Sequence, residues 1–407
     1  MLVLVVIFAL TVIVAAFAYS MSVEMRLAQI SDYDVELEWM GRSGVELASY
    51  ALAMKCPEQR DIDALNQFWA GGNAPCSNDV PQFSLTDFPL GSGKISVTIT
   101  DMERKFDINI VANYRAPQLD VLQKALAEAG VTDPSESSII IDSILDWVSP
   151  GQDARISGAK DQYYSGLNPP YHCKDGQIDD LSELLLIRGI TPEIYWGPNS
   201  TNHPPGAYQQ KGSDHSPRLG KFRFANETKD MPNPVGLVDL FSPYGARLNI
   251  NTASAKTLQL LPGMDANSAQ HIIEQRAGPD GADGTADDVP FHSVMELSGG
   301  MPGGAPPGAS RAPITPQALG APGVRGAMGG AGTPPGGVMP GGVPVPGAPL
   351  AGGAGAILAN YCDVRSYVFE VHVIAEINNV KRTFVGIVSR PPQNPNQVQC
   401  IRFYWEE

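Results

Sequence analysis

The densest chemistry in the sequence lies between Gly278 and Phe291, which reads GPDGADGTADDVPF. Asp280, Asp283, Asp287 and Asp288 fall within nine residues, with Gly281 and Gly284 between them to let the backbone turn tightly. Carboxylates so close repel one another unless a cation neutralises them, and hard oxygen donors on a flexible loop suit calcium. The four aspartates are therefore read as ligands of a structural calcium ion. Their spacing is not that of an EF-hand, which takes acids at alternate positions and a closing glutamate. A solvated acidic turn is the plainer alternative.

A sparser acidic run holds Asp146, Asp153 and Asp161. Its spacing suits capping and loop ordering better than a second cation. Asn249-Ile-Asn251-Thr-Ala253, then Leu260-Leu-Pro-Gly-Met264, then Ala269 and Ile272-Ile273 follow the order of a helix-hairpin-helix unit, and Leu184 to Pro192 resembles a second one. In DNA-binding versions the hairpin presents backbone amides to phosphate and basic residues follow. Here Asp265 replaces the second glycine, and Asn267 and Ser268 stand where a lysine would help. A net charge of −15 also opposes nucleic acid. These units are read as packing elements.

No catalytic residue is expected. The six histidines are scattered, no serine sits in a G-x-S-x-G elbow, and no Walker or Rossmann glycine pattern occurs. His172 and Cys173 are adjacent in sequence, which rarely aligns a thiol with an imidazole. The five cysteines contain no C-x-x-C pair and no zinc spacing. The preferred disulfides join Cys56 to Cys76 and Cys362 to Cys400, closing loops of about 20 to 40 residues worth about 3 to 4 kcal/mol each. Such bonds fit an oxidising compartment such as the periplasm; scattered reduced thiols are the alternative.

The elements that carry these residues are legible in outline. Met1 to Tyr19 is uncharged and apolar, long enough as a helix nearly to span a hydrocarbon core of roughly 30 Å. With no proline before Pro57, apolar residues recur at Val23, Leu27, Ile30, Leu37, Met40, Leu47, Ala51 and Met54, a helical stripe that makes span and stalk one element. Lys94 to Thr100 alternates as a strand. Tyr367 to Ile377 does the same, Asn378-Asn379 offers a tight hairpin turn, Val380 to Ser389 returns, and Val398 to Trp405 makes a further strand. Between the first strand and the last three, helix starts and stops recur: Pro117 with Gly130, Asp133 with Pro150, Asp180 with Gly189, Thr191-Pro192, Asn251-Thr252 with Pro262, and Asn267 with Gly278. Met301 to Gly355 holds most of the excess among 42 glycines and 35 prolines and is read as a disordered loop.

These readings predict an α+β fold: a long N-terminal helix packed on an antiparallel sheet, with a large inserted α-helical domain containing helix-hairpin-helix-like units. The expected divisions are 1–55 for the transmembrane and stalk helix, 56–105 for the first part of the β domain, and 106–297 for the insertion. The Gly/Pro-rich loop then takes 298–356 and the closing strands 357–407.

In their order along the chain, Phe106-Asp-Ile-Asn109, Leu145-Asp-Trp147, Asp179-Asp-Leu-Ser-Glu-Leu184, Leu248-Asn-Ile-Asn-Thr-Ala253 and the Asp280 to Phe291 loop resemble the minor pseudopilin K family of the bacterial type II secretion system (general secretion pathway protein K). The resemblance implies that the sheet is pilin-like and the helix-hairpin-helix-like units SAM-like, in a non-enzymatic protein at the tip of a short periplasmic pseudopilus, helping to initiate fibre assembly and capping it. It implies minor pseudopilins I and J as partners, contact with folded substrates for export, and a single-pass anchor in the inner membrane with the C-terminal bulk in the periplasm. It further implies a short basic leader ending in glycine, cut by a prepilin peptidase, and puts Val5 where major pseudopilins carry a glutamate. A membrane-anchored DNA-uptake protein and a type IV pilus tip adhesin are the alternatives.

Overall fold

The computed structural model describes residues 2–72, 83–113, 115–197, 235–299, 357–392, 394 and 397–406. Cys76 and, from residue 300 on, the Gly/Pro-rich segment lie outside them.

Helix α1 (Leu2–Ala53) is unbroken over 52 residues, and its apolar N-terminal part is long enough to cross a membrane. The stripe divides in two. Of its residues Leu37, Met40 and Ala51 are buried, beside Val45, Ala48 and Leu52, and Leu47 and Met54 are half-buried, whereas Val23, Leu27 and Ile30 are exposed. Strands β1 (Phe88–Leu90) and β2 (Gly93–Asp101) follow.

The chain then enters the insertion through β3 (Phe106–Asp107) and α2 (Ile108–Val111). Next come α3 (Leu119–Glu128), α4 (Pro134–Val148) and α5 (Asp161–Tyr164). The Asp180–Glu183 capping box forms as the sequence predicts, but it opens a 3-10 helix over Leu181–Leu186; the run stops after six residues because Ile187 turns extended, too early for a packed α-helix. Then follow α6 (Pro192–Trp196), α7 (Leu237–Leu240), β4 (Phe241–Ser242), β5 (Leu248–Asn249), α8 (Ala255–Gln259) and α9 (Ala266–Arg276). Asp133, Thr191 and Asp265 each accept a backbone N–H as the helix N-cap. Asp265, which takes a glycine's place in the hairpin pattern, is thereby employed.

The chain returns through β6 (Cys362–Asp363) to β7 (Val368–Ile377), β8 (Val380–Ser389) and β9 (Gln399–Glu406). One antiparallel sheet forms in the order β1-β2-β7-β8-β9, with Ile99 opposite Val371 and Val373 opposite Phe384. Asn378 and Asn379 take φ of 48° and 68°, the turn that matches strand twist. Of two short parallel pairs, β3 with β4 closes the insertion on itself and β5 with β6 ties it to the returning chain.

The described residues form two cores. One lies between the buried face of α1 and the inner face of the sheet, with Ile95, Val97, Ile99, Phe369, Val371 and Val373. Gly41 and Gly44 bring helix and sheet into contact. A Cβ on Gly41 would sit 2.5 Å from the Phe384 ring, and one on Gly44 would overlap Val373, so neither position admits a side chain without opening the interface. The other core fills the insertion around Ile140, Ile144, Trp147, Tyr164, Leu258 and Leu260, and it also takes Ile62, Leu358, Cys362 and Val364 from outside 106–297.

Cys56 is disulfide-bonded. The expected Cys362 to Cys400 bond does not form. Cys362 is a free thiol buried in the insertion's core, where β6 pairs with β5, while Cys400 is a free thiol exposed on the edge strand β9. A suitable loop length does not bring two Cβ atoms together when the residues belong to different layers.

Candidate functional site

The acidic loop begins where α9 ends. Gly278 takes φ of +68°, and the Asp287 carbonyl sits so close that a Cβ could not fit. Arg276, itself buried, uses Nη1 to donate to the carbonyls of Ile250 and Ala253, both at 2.8 Å. Its Nε and Nη2 grip Asp283 at 3.0 and 2.7 Å, a bidentate pairing that commits that carboxylate. Asn251 pins the far end, donating to the Phe291 carbonyl at 2.9 Å and accepting the Phe291 N–H at 2.8 Å.

The other three aspartates order the loop itself. Asp280 accepts the Ala282 N–H at 2.8 Å, Asp287 accepts the Asp280 N–H at 3.2 Å, and Asp288 accepts the Gly284 N–H at 2.8 Å. Among the described residues no three Asp, Glu, His or Cys side chains gather as a metal-holding group. Around the Thr285 hydroxyl, however, stand three acceptors: Asp287 Oδ1 at 2.7 Å, Asp288 Oδ1 at 3.1 Å and the Ala282 carbonyl at 3.2 Å. One hydroxyl proton serves only one of them and the Thr285 N–H serves Asp288 Oδ1 at 3.2 Å, so three acceptors face two donors. The bond from Thr285 holds Asp287 below the usual carboxylate range. Of the four, Asp287 and Asp288 are the ones that could offer oxygens to a hard cation; Asp283 is spent on Arg276, and Asp280 faces its own turn.

The sparser run orders loops. Buried Asp146 pairs with Arg155 at 2.7 Å and Asp161 accepts the Cys173 N–H at 2.6 Å, while Asp153 is exposed. His172 faces Asp161 at 3.3 Å, and burial pushes the Cys173 thiol up to about 11, so the two form no thiolate–imidazole couple.

A second constellation, not anticipated from sequence, lies where the insertion meets the sheet. Asp63 is fully buried between Arg390 Nη2 at 2.5 Å and Lys55 Nζ at 2.9 Å. Arg390 also donates to the carbonyls of Leu52 at 3.2 Å and Ser366 at 2.6 Å. Asp101, at the end of β2, accepts from Thr252 Oγ1 at 2.5 Å and Ser366 Oγ at 2.6 Å. Asn249 donates to Ser366 Oγ at 2.7 Å and to the Asp63 carbonyl at 3.0 Å. Glu103 accepts the Tyr367 N–H through Oε2 at 2.9 Å, and its Oε1 is buried with no partner. Burial pushes Asp101 up to about 6 and Glu103 up to about 9, with Asp101 adding to the effect on Glu103. At neutral pH Glu103 therefore holds its proton.

This junction joins the end of α1, the exit from β2, the entry to β7 and the end of β8 to the insertion's Asn249 and Thr252. It also explains two of the sequence motifs. Leu248 to Ala253 supplies Asn249 to the junction and Asn251 to the acidic loop. Asn109 bridges the Ile178 backbone, through both its carbonyl and its N–H, to the Pro243 carbonyl.

Residues 104–196 match the family model for type II secretion system (T2SS), protein K. A type II secretion system protein K of Aeromonas hydrophila is 26% identical over 170 residues, 39% of this chain and 47% of that protein. A putative type II secretion system protein K of Escherichia coli (strain K12) is 28% identical over 162 residues, 37% of this chain and 46% of that protein. The chain thus spans about half the length of the curated relatives it matches. In fold it aligns with a chain in the crystal structure of the GspK-GspI-GspJ complex from the enterotoxigenic Escherichia coli type 2 secretion system. That alignment has a TM-score of 0.55 over 94% of this chain and 99% of that one, at 16% identity. By family model, by curated relatives and by fold, the chain bears out the resemblance to protein K of the type II secretion system that its motifs carry.

Proposed function

We propose that the chain is a minor pseudopilin of a type II secretion system, non-enzymatic, that helps to initiate and cap the pseudopilus at its tip together with minor pseudopilins I and J. One observation supports the cap in particular. The two ends of the sheet are distinguished by what they touch on α1. The β7–β8 hairpin meets Tyr33 and Asp34 through Asn378 and Arg382, at 3.2 and 3.1 Å, whereas Arg390 meets Leu52 at the opposite end. The insertion joins at that second end, farthest from the apolar span. A subunit adding beyond it would meet helical bulk instead of a free sheet and stalk. On this reading the N-terminal part of α1 holds the protein in the inner membrane and the remainder occupies the periplasm. The head from Val23 onward is expected to co-elute with the soluble heads of pseudopilins I and J as one complex; separate elution of all three would count against the assignment.

For the acidic loop, calcium is proposed as a structural ligand, held chiefly by Asp287 and Asp288 with the surplus oxygens around Thr285. Calcium is expected to raise the melting temperature of the head, and Asp287→Ala with Asp288→Ala to remove the rise. An unchanged melting temperature with and without calcium sinks the site.

A further inference from the structure

A cavity of about 410 Å³ opens beside the end of α1, with Lys55, Arg60, Arg365 and Arg390 on its walls and Tyr367 and Pro392 as less polar lining. Four cations in one cavity stand out in a chain of net charge −15. Among the described residues two acids pair with them: Asp61, on Arg365 at 2.5 Å, and Asp63, between Lys55 and Arg390. Among the described residues no acid pairs with Arg60, whose side chain is exposed. The local charge therefore stays positive. Lys55 reflects this, its ammonium held below the usual value first by burial and then, against the pull of Asp63, by Arg390 and Arg365.

We infer that this cavity binds a carboxylate-rich segment of a partner protein. Its size is that of a site for a side chain with an apolar stem and a charged end, and guanidinium forks match carboxylates in geometry. Lipid phosphates are out of reach, because the helix from Tyr19 to Ala53 rises on the order of 50 Å. Nucleic acid is opposed by the charge of the molecule as a whole.

The test is fluorescence anisotropy of labelled hexaglutamate against the full-length chain in neutral detergent at low salt. Saturable binding is expected, weakened about tenfold by Arg60→Glu. Arg60 is exposed and has no acid partner among the described residues, so the variant should keep the wild-type melting temperature. Arg26→Glu on the stalk should bind as wild type does. Three results would overturn the inference: no binding, equal loss in both variants, or displacement of the peptide by an equal concentration of inorganic phosphate, which would mark a free-anion site.

Discussion

Arg390→Met is expected to destabilise the head by about 3 to 5 kcal/mol, the range for removing one partner of a buried ion pair. Methionine conserves much of the volume but supplies no donors. Asp63 would keep Lys55 and the Ser366 N–H, and the Leu52 and Ser366 carbonyls would each lose a partner. Burial of acceptors without donors is what makes the loss large. Urea denaturation followed by circular dichroism measures it. A change below about 1 kcal/mol, the scale of an exposed pair, would show that the junction does not hold the end of α1 to the sheet.

Glu103→Gln is expected to act in the opposite direction, and only at higher pH. Burial raises the folded-state pKa of Glu103 from its ordinary value to about 9. Its contribution to stability is therefore fully present below pH 4.5, and is lost as pH rises from there through 9. The loss amounts to about 1.4 kcal/mol per pH unit across that window. Asp101, raised to about 6, adds a smaller loss of the same sign at the acidic end. Glutamine can still accept the Tyr367 N–H and never ionises. The variant should match wild type near pH 5 and exceed it by several kcal/mol near pH 9. Parallel stability curves for the two proteins would mean that Glu103 does not titrate in the junction.

Features set by neighbours in sequence could be read from the sequence. Asp133 and Thr191 cap helices because an N-cap needs only its own next few residues, and the Asn378-Asn379 turn is equally local; Asp265, whose helix is expected from the sequence to start at Asn267, is a cap that only the structure shows. The stripe on α1 identified the apolar face from Leu37 onward. It could not show that Leu27 and Ile30 are left exposed, because periodicity marks a face without naming what covers it. The junction was hidden for a different reason. Asp63, Asp101, Glu103, Asn249, Ser366 and Arg390 are scattered along the chain, and each taken alone resembles an ordinary surface residue. The one local sign was a pair of acids, Asp101 and Glu103, closing an apolar strand.

The acidic loop lies between these cases. Acid density drew attention to the right segment, yet it treated four carboxylates as equivalent. Arg276 separates them by taking Asp283, and a basic residue in the last turn of the preceding helix was the available clue. The Cys362 to Cys400 pairing failed because loop length carries no information about the direction of Cβ.

The placement of this protein at the tip of a fibre is tested most directly by gold labelling of the insertion on pseudopili sheared from cells. Because the insertion covers the end of the sheet farthest from the apolar span, a single label at one end of each fibre is expected. Labels spaced along the shaft would show that further subunits add beyond the insertion, and would contradict the cap.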